Sequence, residues 1–304
     1  MTKNNRSKPQ LSIIIVSHNS HDFLHETLSS VYTQADISFE VIVVDNLSTD
    51  QTLSMIKKNF PEVLVIKRDT NVGFAAANNL GVKKAKANTI LFLNPDITLT
   101  NIGDLKKCYA RLWQEEKLGC LSPKVILALT GQIDETSHRG FPTPWASLAH
   151  FSGLSKIFPK LPFFNQYSKR YLGYGHEHYI DSVGGMFMMV KREAGETLGW
   201  WDESFDFYGE DLDFCYRLWG KNYSVLYYPA VTVKHYKGAT TGMSKASQAI
   251  TTASAKKTLQ VKKWSIQAMK IFYQKHYESR YPFYVNWLVS LGFRVLYLIR
   301  VGLK

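Results

Sequence analysis

The chain has 304 residues, 45% of them apolar, enough for one large domain or two fused halves around a substantial core. Its three cysteines, Cys108, Cys120 and Cys215, lie far apart without a CxxC spacing, which argues against a disulfide framework or a zinc site and fits a reducing compartment. The net charge of +12 is a tail property: residues 255–304 hold ten Lys/Arg against one acid, a balance of +9 that leaves +3 for the rest, so no nucleic-acid partner is expected.

Residues 1–10 are polar and basic without an apolar run, so no secretory signal is expected. The next ninety residues alternate. Segments 11–17, 39–45, 63–67 and 89–93 are strand-length apolar or β-branched runs separated by helix-like stretches. Ser48-Thr49-Asp50-Gln51 reads as a capping box opening the second helix. Such alternation predicts right-handed βαβ units and a parallel sheet covered on both faces, with ligands bound beyond the carboxyl ends of the strands. Those ends carry Ser17-His18-Asn19, Asp45-Asn46, Arg68-Asp69-Thr70-Asn71 and Asn94-Pro95-Asp96, all polar.

Residues 102–129 read as a helix and a strand. Segment 140–180 is rich in Phe, Tyr, Pro and Gly and has no clear period, which is the mark of a functional or mobile stretch. A strand over 181–192 is interrupted by Gly184-Gly185, as at a bulge or a close backbone approach by a ligand. An acidic helix follows at 209–220, then a final strand at 223–228 leading to His235.

The chemistry concentrates at two places. Asp96 is a hard oxygen ligand at a strand end, suited to Mg²⁺ or Mn²⁺ bound together with substrate phosphates, and His235 is a candidate co-ligand. Glu210 and Asp211 start a helix, where the dipole favours a carboxylate that could act as general base. Asp211 and Asp213 are two apart on that helix, so one of them is expected to face a cleft. Gly184, Gly185, Trp201 and Glu210 are expected on the side of the cleft opposite Asp96, with the aromatic 140–180 segment as its wall.

In the order Ser12–Asn19, Val43-Val44-Asp45-Asn46-x-Ser48-x-Asp50, Asn71-x-Gly73-Phe74-x-x-x-Asn78, Leu93-Asn94-Pro95-Asp96, Gly184-Gly185-x-Phe187, Phe207-x-Gly209-Glu210-Asp211-x-Asp213-x-x-x-Arg217 and His235-x-x-Gly238, the chain resembles family 2 inverting glycosyltransferases of the GT-A fold. Within them it is most similar to the bacterial rhamnosyltransferase branch. The match runs from about residue 11 to 242, and the ordered set rather than any one motif carries it. The resemblance implies an α/β fold, Rossmann-like, with a mainly parallel sheet flanked by helices. It implies a nucleotide-sugar half (1–100), an acceptor half (101–242) and a helical, basic amphipathic tail (243–304). Asp45 would hydrogen-bond the pyrimidine of a dTDP- or UDP-sugar, with Ser17, His18 and Asn19 lining base and ribose. Asn71, Gly73 and Asn78 would shape the nucleotide pocket. Asp96 would bind the metal that grips the diphosphate, with His235 beside it, and Asp211 would deprotonate the acceptor hydroxyl. Asn94 stands where relatives carry a second acid, which weakens the metal site; the Asn form is familiar in the rhamnosyltransferase branch and favours dTDP-L-rhamnose.

In the tail, Lys256, Gln260, Lys263, Gln267, Lys270 and Gln274 form one helical stripe, and Val261, Trp264, Ala268 and Ile271 another. Residues 281–301 are apolar except at Asn286, Ser290 and Arg294, about the length of a membrane span, but Arg294 would then lie in hydrocarbon. A helix lying in the interface, against anionic lipid, fits better. The alternative is a helix packed on the catalytic domain or on a second copy in a homodimer. The expectation is therefore an enzyme on the cytoplasmic, inner face of the plasma membrane, acting on a lipid-linked surface glycan. The rivals are a nucleotidyltransferase, for which the first strand lacks a Gly-rich, Lys-bearing phosphate loop, and a non-catalytic binding or scaffold protein on the same fold.

Overall fold

The computed structural model describes residues 8–238 and 254–302. The end of the motif series at 239–242, the start of the tail at 243–253 and residues 1–7 lie outside the described residues.

The first part of the chain alternates as its periodicity predicts: β1 (Leu11–Ser17), α1 (His21–Tyr32), β2 (Phe39–Asp45), α2 (Thr52–Asn59), β3 (Leu64–Lys67), α3 (Phe74–Lys84) and β4 (Thr89–Leu93). There follow β5 (Ile97–Leu99), α4 (Asp104–Leu112), β6 (Leu118–Leu127), β7 (His138–Arg139), α5 (Pro144–Phe151), α6 (Leu154–Ile157), β8 (His178–Tyr179), β9 (Ser182–Val183) and β10 (Phe187–Lys191). The chain continues through α7 (Arg192–Leu198), α8 (Glu210–Gly220), β11 (Ser224–His235), α9 (Ala255–His276) and α10 (Phe283–Val301).

One sheet runs β3-β2-β1-β4-β10-β6-β11-β5, with β8 beside β11, and β7 pairs with β9 in a second small sheet. The pairs of β1 with β2, β1 with β4 and β2 with β3 are parallel, whereas β10 is antiparallel to both of its neighbours. The fold is thus a mixed, mainly parallel α/β sheet flanked by helices, with a C-terminal helical segment. Alternate side chains of β1 serve opposite layers: Leu11, Ile13 and Ile15 pack with α1, and Ile14 packs with β4, β10 and α8. Burial on both faces is what makes these strands read as continuous apolar runs.

Three local expectations are corrected. The 48–51 capping box does not form: α2 starts at Thr52, and Ser48 and Asp50 instead accept backbone N–H groups of Asn19 and His21, tying two loops together. The aromatic segment, read as functional or mobile for want of a clear period, contains ordered helical turns: Thr143 caps α5 at the Ala146 amide and Pro144 supplies its first turn. The last strand does not stop at Tyr228; β11 continues past Pro229 through a register shift and delivers His235 at its end.

Candidate active site

The carboxyl ends of β1, β2 and β4, the start of α8 and the end of β11 open on one cleft of about 830 Å³. Of the residues singled out from sequence, His18, Asn71, Gly73, Asn94, Asp96, Gly185, Glu210, Asp211 and His235 line it. Ser17, Asn19, Asp45, Asn78, Gly184 and Trp201 do not.

On the β1–β2 side, Asn46 is the organising residue. Its Nδ2 donates to Asn71 Oδ1 at 2.9 Å, its Oδ1 accepts the Val72 amide at 2.9 Å, and its carbonyl meets His18 Nδ1 at 3.0 Å. Gly73 sits at φ +82, and a Cβ there would lie 3.2 Å from the Asp206 carbonyl oxygen, so glycine is required. Ser17 bonds Ser20, and Asn19 Oδ1 accepts the Thr49 amide, so both build the turn rather than face the cleft. Asn78 is buried within α3, donating to the Phe74 carbonyl, and Trp201 is buried against Phe92 and Phe214. Trp201 therefore does not line the cleft, contrary to expectation. Asp45 is buried, with Oδ2 accepting the Ser48 amide and Oδ1 without a hydrogen-bond partner.

At the floor, Asp96 and His235 meet. His235 Nε2 lies 3.4 Å from Asp96 Oδ1, an ion-pair contact too long for a good hydrogen bond, so that buried oxygen has no hydrogen-bond partner. His235 Nδ1 is held at 2.8 Å by Asp134 Oδ2, and Asp134 also accepts from Lys237 Nζ and from Thr136. Burial pushes the His235 imidazole down, but Asp96 and Asp134 outweigh it and raise the imidazole to about 9. Burial likewise opposes ionisation of Asp134, yet His235 and Lys237 hold it well below the usual carboxylate range. The carboxylate–histidine pair fixes which ring nitrogen faces Asp96, the arrangement that orients a metal-ligating imidazole. Among the described residues no group of three or more His, Cys, Asp or Glu could hold a metal ion by itself. An orphaned carboxylate oxygen beside an oriented imidazole fits a cation that takes its other ligands from a phosphate.

Across the cleft, the spacing of the acidic helix has the expected effect. Asp213 is fully buried and turned away, bonded to Arg217, Lys275 and His276, whereas Asp211 faces the cleft. Asp211 Oδ2 accepts Arg139 Nη2 at 2.6 Å and the Gly185 amide at 3.1 Å, and Oδ1 accepts the Leu212 amide at 2.8 Å. A carboxylate has about four lone-pair positions, so Asp211 retains capacity for one more proton donor. Glu210 is a different group. Burial, then the Asp211 charge beside it, raises its carboxyl to about 8, and Oε2 has no partner. The interrupting glycines join the two sides: Asn94 N donates to the Met186 carbonyl while Gly185 N holds Asp211.

Asn46, Asp134 and Arg139 were not among the site residues read from sequence. Asp134 precedes Glu135-Thr136-Ser137, a turn signal that marks a structured loop; Arg139 carries no signal of that kind. Also unforeseen is the entry of α9, whose Ser254, Lys256, Lys257 and Gln260 line the same cleft.

Residues 12–181 match the family model described as Glycosyl transferase family 2, and residues 163–303 match Glycosyl transferase family group 2. The chain is 28% identical over 222 residues to the low-salt glycan biosynthesis hexosyltransferase Agl10 of Haloferax volcanii, covering 71% of this chain and 63% of that protein. It is 25% identical over 248 residues to the N-acetylglucosaminyl-diphospho-decaprenol L-rhamnosyltransferase of Mycobacterium tuberculosis, covering 78% of this chain and 79% of that one. Similar solved structures are GalNAc-T7 with UDP, GalNAc and Mn²⁺ (TM-score 0.56, 17% identity, 76% of this chain and 44% of that chain). Another is the Pyrobaculum calidifontis mannosyltransferase PcManGT with GDP-Man and Mn²⁺ (TM-score 0.52, 15% identity, 96% and 81%).

Proposed function

The chain belongs to glycosyl transferase family 2, and from that premise we propose that it moves a sugar, with inversion, from a nucleoside diphosphate donor to an acceptor hydroxyl. The observation that carries this reading is the division of one cleft between an oriented Asp96–His235 pair and an oriented Asp211, joined through the Asn94–Met186 and Gly185–Asp211 hydrogen bonds. Asp45 Oδ1 is buried and unpartnered at the end of β2, next to Asn46 of the cleft wall, and is suited to accept the N–H of a pyrimidine that reaches past that wall. Asp96 would hold Mg²⁺ or Mn²⁺, with His235 joining it on giving up the proton that Asp96 and Asp134 stabilise, and the metal would supply positive charge against the leaving diphosphate.

Asp211 takes the acceptor proton as the acceptor oxygen attacks the anomeric carbon; the new C–O bond forms as the bond to the diphosphate breaks, and the diphosphate leaves from the opposite face. Glu210, neutral at pH 7, keeps the charge at this spot single. We assign 1–100 to the donor half and 101–242 to the acceptor half, and place the protein on the inner face of the plasma membrane through α10. The donor we favour is dTDP-L-rhamnose and the acceptor a lipid-linked glycan, supported by Asn94 and by the mycobacterial relative; a UDP-sugar is the second reading, supported by the UDP in the GalNAc-T7 complex.

Thermal-shift binding of dTDP- and UDP-sugars, with and without Mn²⁺, followed by transfer assays, tests this. Asp211→Asn should lose about 10²–10⁴-fold in turnover, the range a positioned base supplies, with donor binding retained. Near-normal turnover in that variant would remove Asp211 as the base.

A further inference from the structure

α9 begins at the cleft. Ser254 Oγ accepts the Lys257 amide at 3.2 Å and caps a helix of 22 residues, and Lys257 and Gln260 of its first turns line the wall facing the β-strand ends. One turn on, Trp264 lies 6.1 Å from Phe207, in the loop before α8, which fixes this end of α9 over the site.

Several cations turned inward elsewhere among the described residues are met by oxygen. Arg139 rests on Asp211, Lys237 on Asp134, Arg217 and Lys275 on Asp213, and Lys191 on the carbonyls of Glu115 and Glu116. Lys257 differs: among the described residues it has no carboxylate partner. Partial burial pushes its ammonium below the ordinary lysine range, and no acid offsets that. A partly dehydrated ammonium on a cleft wall is better stabilised when an anion meets it, and the donor class proposed above brings a diphosphate to this cleft. We propose that Lys257 binds the donor diphosphate, so that α9, a tail element, forms a wall of the donor site. This rests on the nucleoside diphosphate reading, and the phosphate contact is the point-charge kind that lysine makes.

The test is calorimetric titration of the full chain with UDP, dTDP, UMP and uridine, without divalent cation, for wild type, Lys257→Ala, Lys257→Arg and the exposed control Lys270→Ala. Lys257→Ala should weaken UDP and dTDP about ten-fold or more and UMP less, and leave uridine unchanged. Lys257→Arg and Lys270→Ala should stay near wild type. Wild-type affinity for UDP and dTDP in Lys257→Ala, or an equal loss for uridine, overturns the role of Lys257. If wild type binds none of the four, with Mn²⁺ added or without it, the nucleotide-donor reading itself fails, whatever the variants do.

Discussion

Glu210 and Asp211 are neighbours in sequence that the fold sends into different surroundings. Asp211 has an arginine and two amides to stabilise its charge; Glu210 Oε2 has nothing, and its carboxyl is raised from 4.5 to about 8. A carboxyl raised in the folded state contributes stability that is complete below about pH 4.5 and is lost as pH rises through about 8. Glu210→Gln carries no proton to lose. Its thermal midpoint should match wild type near pH 4, exceed it increasingly towards pH 8, and hold a constant lead above that, with roughly 2–4 °C expected per kcal/mol at this size. Midpoints followed across pH decide it. A lead that does not change with pH would mean that Glu210 ionises freely and that the single charge assigned to the pair is wrong.

At the scale of elements, the sequence is legible where one interaction dominates. Buried apolar runs announced β1, β2 and β4, and the polar strand ends foretold the cleft, because a parallel sheet leaves those ends exposed. Legibility failed where the partner is distant in the chain. Asp134 binds His235 from about a hundred residues away, and its turn marks a loop but not that partner; Arg139 reaches Asp211 from a two-residue strand that nothing local marks. The α9 stripe of Val261, Trp264, Ala268 and Ile271 could have faced lipid or protein; Ala268 and Ile271 pack with Phe205 and Leu212, Trp264 meets Phe207, and Lys275 and His276 lock that contact onto Asp213. Burial would raise Asp213, but His276, Arg217 and Lys275 hold it low. Asp213→Asn leaves those cations underpaired. The expected cost is about 3 kcal/mol, the low end for a broken buried pair because Lys275 and Arg217 reach solvent. Amide exchange should rise most over 255–276. Unaltered exchange there would mean that apolar packing alone holds α9.

The whole molecule is asymmetric in what it covers. α9 is buried against the catalytic body, whereas α10, 19 residues long, has no buried residue. Tyr284, Trp287, Leu288, Leu291, Val295 and Leu298 are exposed and follow the i, i+3, i+4, i+7 spacing of one helix face, with exposed Arg294 at its flank. Asn286 turns inward instead, bonded to Tyr273 and to the carbonyls of Glu278 and Tyr281. Arg300, on the inward side of α10 with Asn286 and Phe293, lies 5.4 Å over the Phe151 ring and ties α10 to α5, while Leu148, Phe151 and Ile157 of α5 and α6 are exposed as well. An apolar stripe edged by arginine suits the headgroup–acyl boundary of an anionic bilayer. Trp287 fluorescence should shift to the blue on adding phosphatidylglycerol vesicles and much less on neutral ones, with salt weakening the response. Burying a leucine is worth about 1.5–3 kcal/mol, so the double variant Leu288→Asp, Leu291→Asp should lower vesicle partitioning by well over ten-fold. It should leave nucleotide binding intact, since neither residue touches the cleft. If instead the wild type ignores vesicles and sediments as a dimer that the double variant converts to monomer, the face is a contact between two copies, and the membrane assignment falls.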